Sequence, residues 1–321
     1  MAGMLMRVLT SMLVLTTSLS LMGCGDDRPE RIEKYQQLTE QRLNTLDTML
    51  DDGQVRNANL LKQYSTLLKQ QKPDLAPLLD ELAKDAGTDG PMYSSLKRRL
   101  AEAKNPANFT DLDQQLAEVE NLYQAADPSL YNDMLSDPVN VVADMSEGKL
   151  ARVNSISREA AALANNADDF GPGSQLVGNP AYGSWQTGSN GMSFWAWYGM
   201  YSMFSNIFQR PIYYDNWSGR RGYSYYNDVG RYRYTSPKEA QAQTKTYEQT
   251  KKRFDSQGKR FDSPYAKSRT GATSLSRESN STPKASTTSA NSANKFRSNY
   301  AKDSSFRNSS TRTTRSVRRG K

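Results

Sequence analysis

The 321-residue chain carries a net charge of +8, a mean hydropathy of −0.79 and 36% hydrophobic residues. That composition supports one folded domain and leaves part of the chain without enough apolar surface to offset chain entropy. There is no histidine and only one cysteine, which removes Ser-His and Cys-His catalytic pairs and the usual zinc ligand sets.

The chain opens with Arg7 in a short positive region, followed by the uncharged apolar run Val8 to Met22. The run is too short to span a bilayer and has the length of a signal-peptide core. It closes on Leu21-Met22-Gly23-Cys24. Leu21, Gly23 and Cys24 resemble the lipobox of bacterial lipoproteins, while Met22 departs from the small or branched residue common there. A plain secretory signal is the alternative, and Met4 or Met6 are alternative starts. The resemblance covers residues 1–24 and implies cleavage of a signal peptide, 1–23, and lipid on Cys24. That lipid would be the chain's membrane attachment, and it would give a lone thiol a reason to exist in an oxidising compartment. In that family, Asp directly after the Cys favours inner-membrane retention. Here Gly25 precedes Asp26, which implies the outer membrane, facing the periplasm.

Residues 24–169 read as an acidic helical domain. Residues 25–170 hold 16 Lys and Arg against 26 Asp and Glu, while 171–321 hold 25 against 8. Such a split implies separate jobs or a mutual embrace. Pro29 opens a first helix with an apolar stripe at Ile32, Tyr35, Leu38, Leu43, Leu46, Met49 and Leu50, closed by Asp52-Gly53. Leu60, Leu61, Tyr64, Leu67 and Leu68 mark a second helix, ending before Pro73. Leu75, Leu78, Leu79 and Leu82 mark a short third. Pro91 opens a fourth, with Met92, Leu96 and Leu100, ended by Asn105-Pro106. Thr110 and Asp113 resemble a capping box for a fifth, with Leu112, Leu116, Val119 and Tyr123. Pro128 and Pro138 punctuate the stretch after it. Leu150, Val153, Ile156, Ala160 and Leu163 predict a last helix. The pattern predicts a mainly α protein built on an antiparallel helical bundle. The carboxylate pairs Asp51-Asp52, Glu118 with Glu120, and Asp168-Asp169 read as solvated helix faces. No Asp-rich calcium loop is present.

From Phe170 the composition changes. Residues 170–191 are rich in Gly and Pro and read as a linker. Residues 192–235 are dominated by aromatics: 17 of the chain's 31 lie in 182–234, and all four tryptophans lie between 185 and 217. As a helix, Trp197, Tyr201, Phe204 and Phe208 share one face, and Trp195 lies on another beside small residues. That run fits a helix packed on the bundle, a membrane-interfacial helix, or a self-association face. Pro211 to Tyr234 predicts a small antiparallel β meander of short strands, with turns at Ser218–Gly222 and Asn227–Gly230. Arg231-Tyr232-Arg233-Tyr234 alternates strictly, placing two Arg on one face and two Tyr on the other. With Arg220 and Arg221, these residues could hold an anion or a glycan, or form a Tyr-rich sheet with solvated Arg.

Residues 236–262 read as a polar, helical segment, and the repeat Arg253-Phe254-Asp255-Ser256 and Arg260-Phe261-Asp262-Ser263 runs to its end and one residue beyond. Residues 263–321 are a basic, Ser- and Thr-rich tail expected to be disordered. No nucleic-acid motif occurs, so nucleic acid is not an expected partner.

The leading functional reading is a non-enzymatic, lipid-anchored envelope protein. Its acidic helical body docks, and its basic tail reaches anionic envelope polymers or an acidic protein. A second is a carbohydrate- or peptidoglycan-binding module using Trp185, Trp195, Trp197 and Trp217, which requires exposed flat rings. A third is a glycan hydrolase using two carboxylates, which requires two acids facing across a cleft. No catalytic constellation, cofactor or metal site is expected, and the oligomeric state is open.

Overall fold

A computed structural model describes residues 26–153, 173–189, 191–197, 211–220 and 224–261. The elements in chain order are α1 (Arg28–Asp51), α2 (Arg56–Gln71), α3 (Ala76–Ala83), α4 (Pro91–Ala103), α5 (Leu112–Ala125), α6 (Pro128–Met134) and α7 (Ser136–Met145). They are followed by β1 (Gly183–Thr187), β2 (Ser193–Trp197), α8 (Tyr214–Arg220) and α9 (Pro237–Ser256). The protein is mainly helical with one small antiparallel sheet, as its composition and periodicity predict.

The first five helices form where the apolar stripes place them. Pro sits in the first turn of α1 and of α4, where its missing N–H costs nothing. Ile32, Leu43, Leu46 and Leu50 of α1 are buried, as are Leu61 and Leu68 of α2, Leu78, Leu79 and Leu82 of α3, and Met92, Leu96 and Leu100 of α4. Two residues beyond the end of α1 stands Gly53, whose φ of +67° lies in the left-handed region that glycine enters without penalty. The cap of α5 is Asp111, one residue from the predicted position: its carboxylate accepts from Gln114 N at 2.7 Å. Thr110 N donates to the Gln114 side chain instead.

The helices are not all antiparallel to their neighbours. Arg28 pairs with Asp113, Arg31 with Glu120, and Arg42 bonds Tyr123, so α1 and α5 run in the same sense. Asn57 bonds Asn132, and Lys72 reaches Met145 O and Glu147, so α2 runs in the same sense as α6 and α7. The two successive pairs therefore stack side by side, with α3 and α4 carrying the chain back between them. Stripe spacing predicts which face is buried. It does not encode which of two similar stripes becomes the neighbour.

α7 falls where the sequence shows only proline punctuation. All ten of its residues are buried, and Pro138 sits in its first turn, where proline is tolerated. Because neighbours cover it on every side, its polar residues each pin a different segment. Asn140 exchanges two hydrogen bonds with the backbone of Val153, at 2.8 and 3.0 Å. Asp144 accepts from Gln175 at 2.7 Å and lies 3.6 Å from Arg152. Asp137 holds residues 224–226. Leu150 and Val153, predicted to begin a last helix, are in irregular structure; Ile156, Ala160 and Leu163 lie outside the described residues.

The second half departs most from expectation. The predicted linker contains the buried turn Ser174–Leu176 and β1. The predicted aromatic helix begins instead as β2, paired antiparallel with β1 in the register Gly183↔Trp197 to Thr187↔Ser193. Ser193, Trp195 and Trp197 are buried and the residues between them half-buried. This two-residue period, with aromatic β-formers, outweighs the helical spacing. That spacing rests on Tyr201, Phe204 and Phe208, which lie outside the described residues.

The predicted meander is likewise corrected. Tyr214–Arg220 is a short helix, Tyr226–Gly230 is a π-type turn, and Arg231–Arg233 is a turn rather than a strand. Among the described residues, only the bridge Phe194↔Tyr213 adds to the sheet. α9 matches the predicted polar helix, with Ser236 and Glu239 forming a full capping box. The repeat in Arg-Phe-Asp-Ser serves packing: after Gly258 the chain folds back, and Phe261 lies 5.0 Å from Phe254.

The acidic half and the aromatic segment share one core. Leu176, Val177, Tyr182, Trp195, Trp217, Tyr225 and Tyr234 belong to the same buried cluster as the leucines of α1 to α5. The boundary placed at residue 169 on composition is therefore not a boundary between separate cores.

Candidate functional site

Two features of this packing have chemistry beyond burial: a seam of buried carboxylates and a groove at the sheet edge. The seam joins the two halves. Asp85, fully buried, accepts from Tyr182 Oη at 2.6 Å and from Met92 N at 3.0 Å. Burial pushes its pKa up to about 7 against the pull of those two hydrogen bonds. Asp137 accepts from Tyr225 N at 2.7 Å, Tyr226 N at 3.0 Å and Ser224 Oγ at 3.0 Å. It too is pushed by burial to about 7. Arg99 binds Glu118 at 2.9 Å and also donates to Arg233 O at 2.8 Å, tying the turn after residue 230 to α4.

The groove lies between α4 and α9, beside β1. Its volume is about 410 Å³. Gly183, Ser184 and Trp185 of β1 form one wall, Ala242 and Thr246 of α9 face them, and Arg98 of α4 stands at the end. Close packing builds that wall. A Cβ on Gly183 would sit 2.0 Å from Ala196 O, so only glycine fits beside β2. Trp185 packs edge-on against Trp195 at 5.3 Å and Tyr214 at 4.6 Å, which fixes its ring. Arg98 is about half exposed (53%) and lies 3.5 Å from Glu239, whose other oxygen accepts from Ser236 N in the cap of α9. A second, more polar pocket of about 330 Å³ lies over the Arg99–Glu118 pair, lined also by Asn108, Gln114 and Lys238.

The residues singled out from sequence are mostly interior. Arg231 is half-buried and its Nε donates to Gln243 at 2.8 Å. Arg233 is buried over the Tyr232 ring, 4.3 Å from its centroid, and Tyr234 donates to Ala125 O at 3.1 Å. The strict alternation therefore does not produce an arginine face. Arg221 and the side chain of Arg220 lie outside the described residues, as do Cys24, Tyr201, Phe204, Phe208 and the tail from 262.

Trp195, Trp197 and Trp217 are 5% exposed or less, so these three rings offer no stacking platform, and Trp195 and Trp197 take the packing role. Glu118 and Glu120, read as a solvated pair, are both buried and each is paired with an arginine, Arg99 and Arg31. Among the described residues, no helix is long and apolar enough to cross a membrane.

The seam carboxylates were missed by sequence reading. One signal was present: Arg99 shares the stripe of Met92, Leu96 and Ala103, and Glu118 that of Gln115 and Leu122. Opposite charges on the apolar stripes of consecutive helices are what a buried pair looks like in sequence. Asp85 and Asp137 left no such mark, because Tyr182 lies 97 residues from Asp85 and the groups that Asp137 holds lie 87 to 89 residues from it. No protein-family model matches the chain, and no curated protein and no solved structure matches it.

Proposed function

We propose that the chain is a non-enzymatic, lipid-anchored protein of the bacterial cell envelope, attached through Cys24, with a docking body and a basic tail that binds anionic envelope components. The observation that carries this reading is Leu21-Met22-Gly23-Cys24 closing an uncharged apolar run, next to a folded body. α1 begins at Arg28, four residues after Cys24. At about 3.3–3.6 Å per residue, that connection reaches no more than ~15 Å. A lipid on Cys24 would therefore hold the body at the membrane surface rather than on a long tether. The tail follows Phe261 in sequence. Its excess of Lys and Arg suits lipid phosphates, lipopolysaccharide, peptidoglycan carboxylates or an acidic protein, with affinity that falls as salt rises.

Fractionation of cells expressing Cys24→Ala tests the anchor. The wild type partitions with the outer membrane, and the variant is released or stays as uncleaved precursor. A variant that matures and fractionates like the wild type removes the lipid from the reading.

A further inference from the structure

We propose that the polar pocket between the end of α4, the Pro106–Asn108 turn and the starts of α5 and α9 binds a neutral sugar unit of a glycan. Charge argues against an ion. Two cations, Arg99 and Lys238, and two acids, Glu102 and Glu118, line the pocket, so their formal charges cancel. The inner pair is closed on itself: Glu118 accepts from two guanidinium nitrogens of Arg99, and Arg233 O accepts from the third. The start of α9 is closed as well, because Pro237 has no N–H and Glu239 N donates to Ser236 Oγ at 3.2 Å. With both Glu118 oxygens held by Arg99, no acid pair is free to attack a glycosidic bond, and the chemistry on offer is binding.

The groups left open are those that a polyhydroxyl ligand matches. Asn108 Nδ2 donates to Glu102 O at 2.8 Å, which leaves its carbonyl oxygen to accept. Gln114 Oε1 accepts from Thr110 N at 3.0 Å, which leaves its Nε2 to donate. Gln241 is exposed on α9 and supplies both kinds of group. A sugar hydroxyl donates and accepts, so amides that offer both partners complement it, whereas an ion uses only one kind. The bonds to Glu102 O and Thr110 N hold Asn108 and Gln114 in place before a ligand arrives, which lowers the entropy lost on binding. Phe109 supplies the apolar side. Its ring is half-buried, packs in part on the core and lines the same pocket. It is the one aromatic side chain among the described lining residues. A sugar's C–H face can rest on it, while a planar base would find no second ring to close the stack. The volume, about 330 Å³, lies at the lower end of the range for ligand pockets, ~300–1,000 Å³, and suits a short saccharide segment. The site involves neither Cys24 nor the tail, so it stands or falls separately from the anchoring.

Full-length protein is titrated calorimetrically with the linear trisaccharides of glucose, of galactose and of N-acetylglucosamine, and with inorganic phosphate as the anion probe. At least one trisaccharide is expected to bind, with an affinity that changes less than about twofold from low to high salt, because a neutral ligand has no charge to screen. Gln114→Glu keeps the acceptor for Thr110 N and replaces the open donor with a carboxylate. It is expected to weaken binding about tenfold with an unchanged urea midpoint, a split that a purely structural Gln114 would not give. Gln241→Trp, on the exposed side of α9, fills the pocket and abolishes binding with unchanged circular dichroism. Lys238→Gln leaves the affinity within about twofold, since the ligand is neutral. Absence of binding by all three trisaccharides, or binding that survives Gln241→Trp, overturns the proposal. So does phosphate binding that weakens with salt and with Lys238→Gln, which would make the pocket an anion site.

Discussion

Arg99 and Glu118 form a two-pronged ion pair inside the core: Nε donates to Oε1 at 2.9 Å and Nη2 to Oε2 at 3.0 Å, with side chains 1% and 2% exposed. The third arm of the guanidinium reaches Arg233 O, so one side chain couples α4, α5 and the turn before α9. Burial raises the Glu118 carboxyl above its ordinary value, and Arg99 offsets part of that rise.

Removing one partner leaves the other charged and dry. Arg99→Met is therefore expected to cost about 3–5 kcal/mol, read as a lower urea midpoint. Arg99→Met combined with Glu118→Leu is expected to recover much of that loss, because the desolvation cost of both charges disappears. Equal losses in the single and double variants would show that the bond to Arg233 O, and not the ion pair, dominates.

The carboxylate seam predicts a pH dependence with a definite sign. Asp85 and Asp137 have folded pKa values of about 7 against an ordinary 3.8. The folded state therefore binds their protons more tightly than the unfolded state does. Their contribution is complete below the ordinary value and is lost as pH rises through about 7. The midpoint of thermal unfolding should fall from about pH 4 to about pH 7 and level off above that on this account. Asp85→Asn keeps an acceptor for Met92 N and a donor that can face Tyr182 Oη, and it should flatten the profile. A variant whose profile parallels the wild type removes Asp85 from the explanation.

Gly183 is where β1 meets β2 most closely. Gly183→Ala pushes a methyl group into Ala196 O, a backbone atom that cannot rotate away. The expected loss is about 1–3 kcal/mol, typical of overpacking. Ser184→Ala on the same strand, facing the other way, loses a hydroxyl that accepts from the Gln186 amide and should cost less than Gly183→Ala. Equal effects at both positions would contradict the close approach.

The tail predicts a salt-dependent attachment. Residues 264–321 hold 13 Lys and Arg against two acids. Pull-down of the full chain on lipopolysaccharide or peptidoglycan should weaken steeply as the Debye length shrinks from ~10 Å at 0.1 M to ~3 Å at 1 M salt. Deleting 264–321 should remove that dependence and leave the urea midpoint of the body unchanged. Retention unaffected by the deletion takes the role away from the tail.

Helix positions for α1 to α5 and α9 were legible because each depends on signals within a few residues: a proline in a first turn, an apolar stripe, a capping box. The lipobox resemblance and the charge split are equally local, and they carry the functional reading without help from the fold. What tertiary structure alone decided are the matters settled by distant partners. α7 became the buried axis because neighbours cover all its sides, although Pro138 reads as an interruption. The strand expected at Tyr225 and Tyr226 gave way to a turn because Asp137, far off in sequence, accepts from their amides. The aromatic segment became core rather than surface because the bundle supplied a face for Trp195 and Trp217 to cover. Periodicity reports which side of an element is apolar. Which other side it meets is a property of the whole packing, and the groove between β1, α4 and α9, built from three elements distant in sequence, exists only at that level.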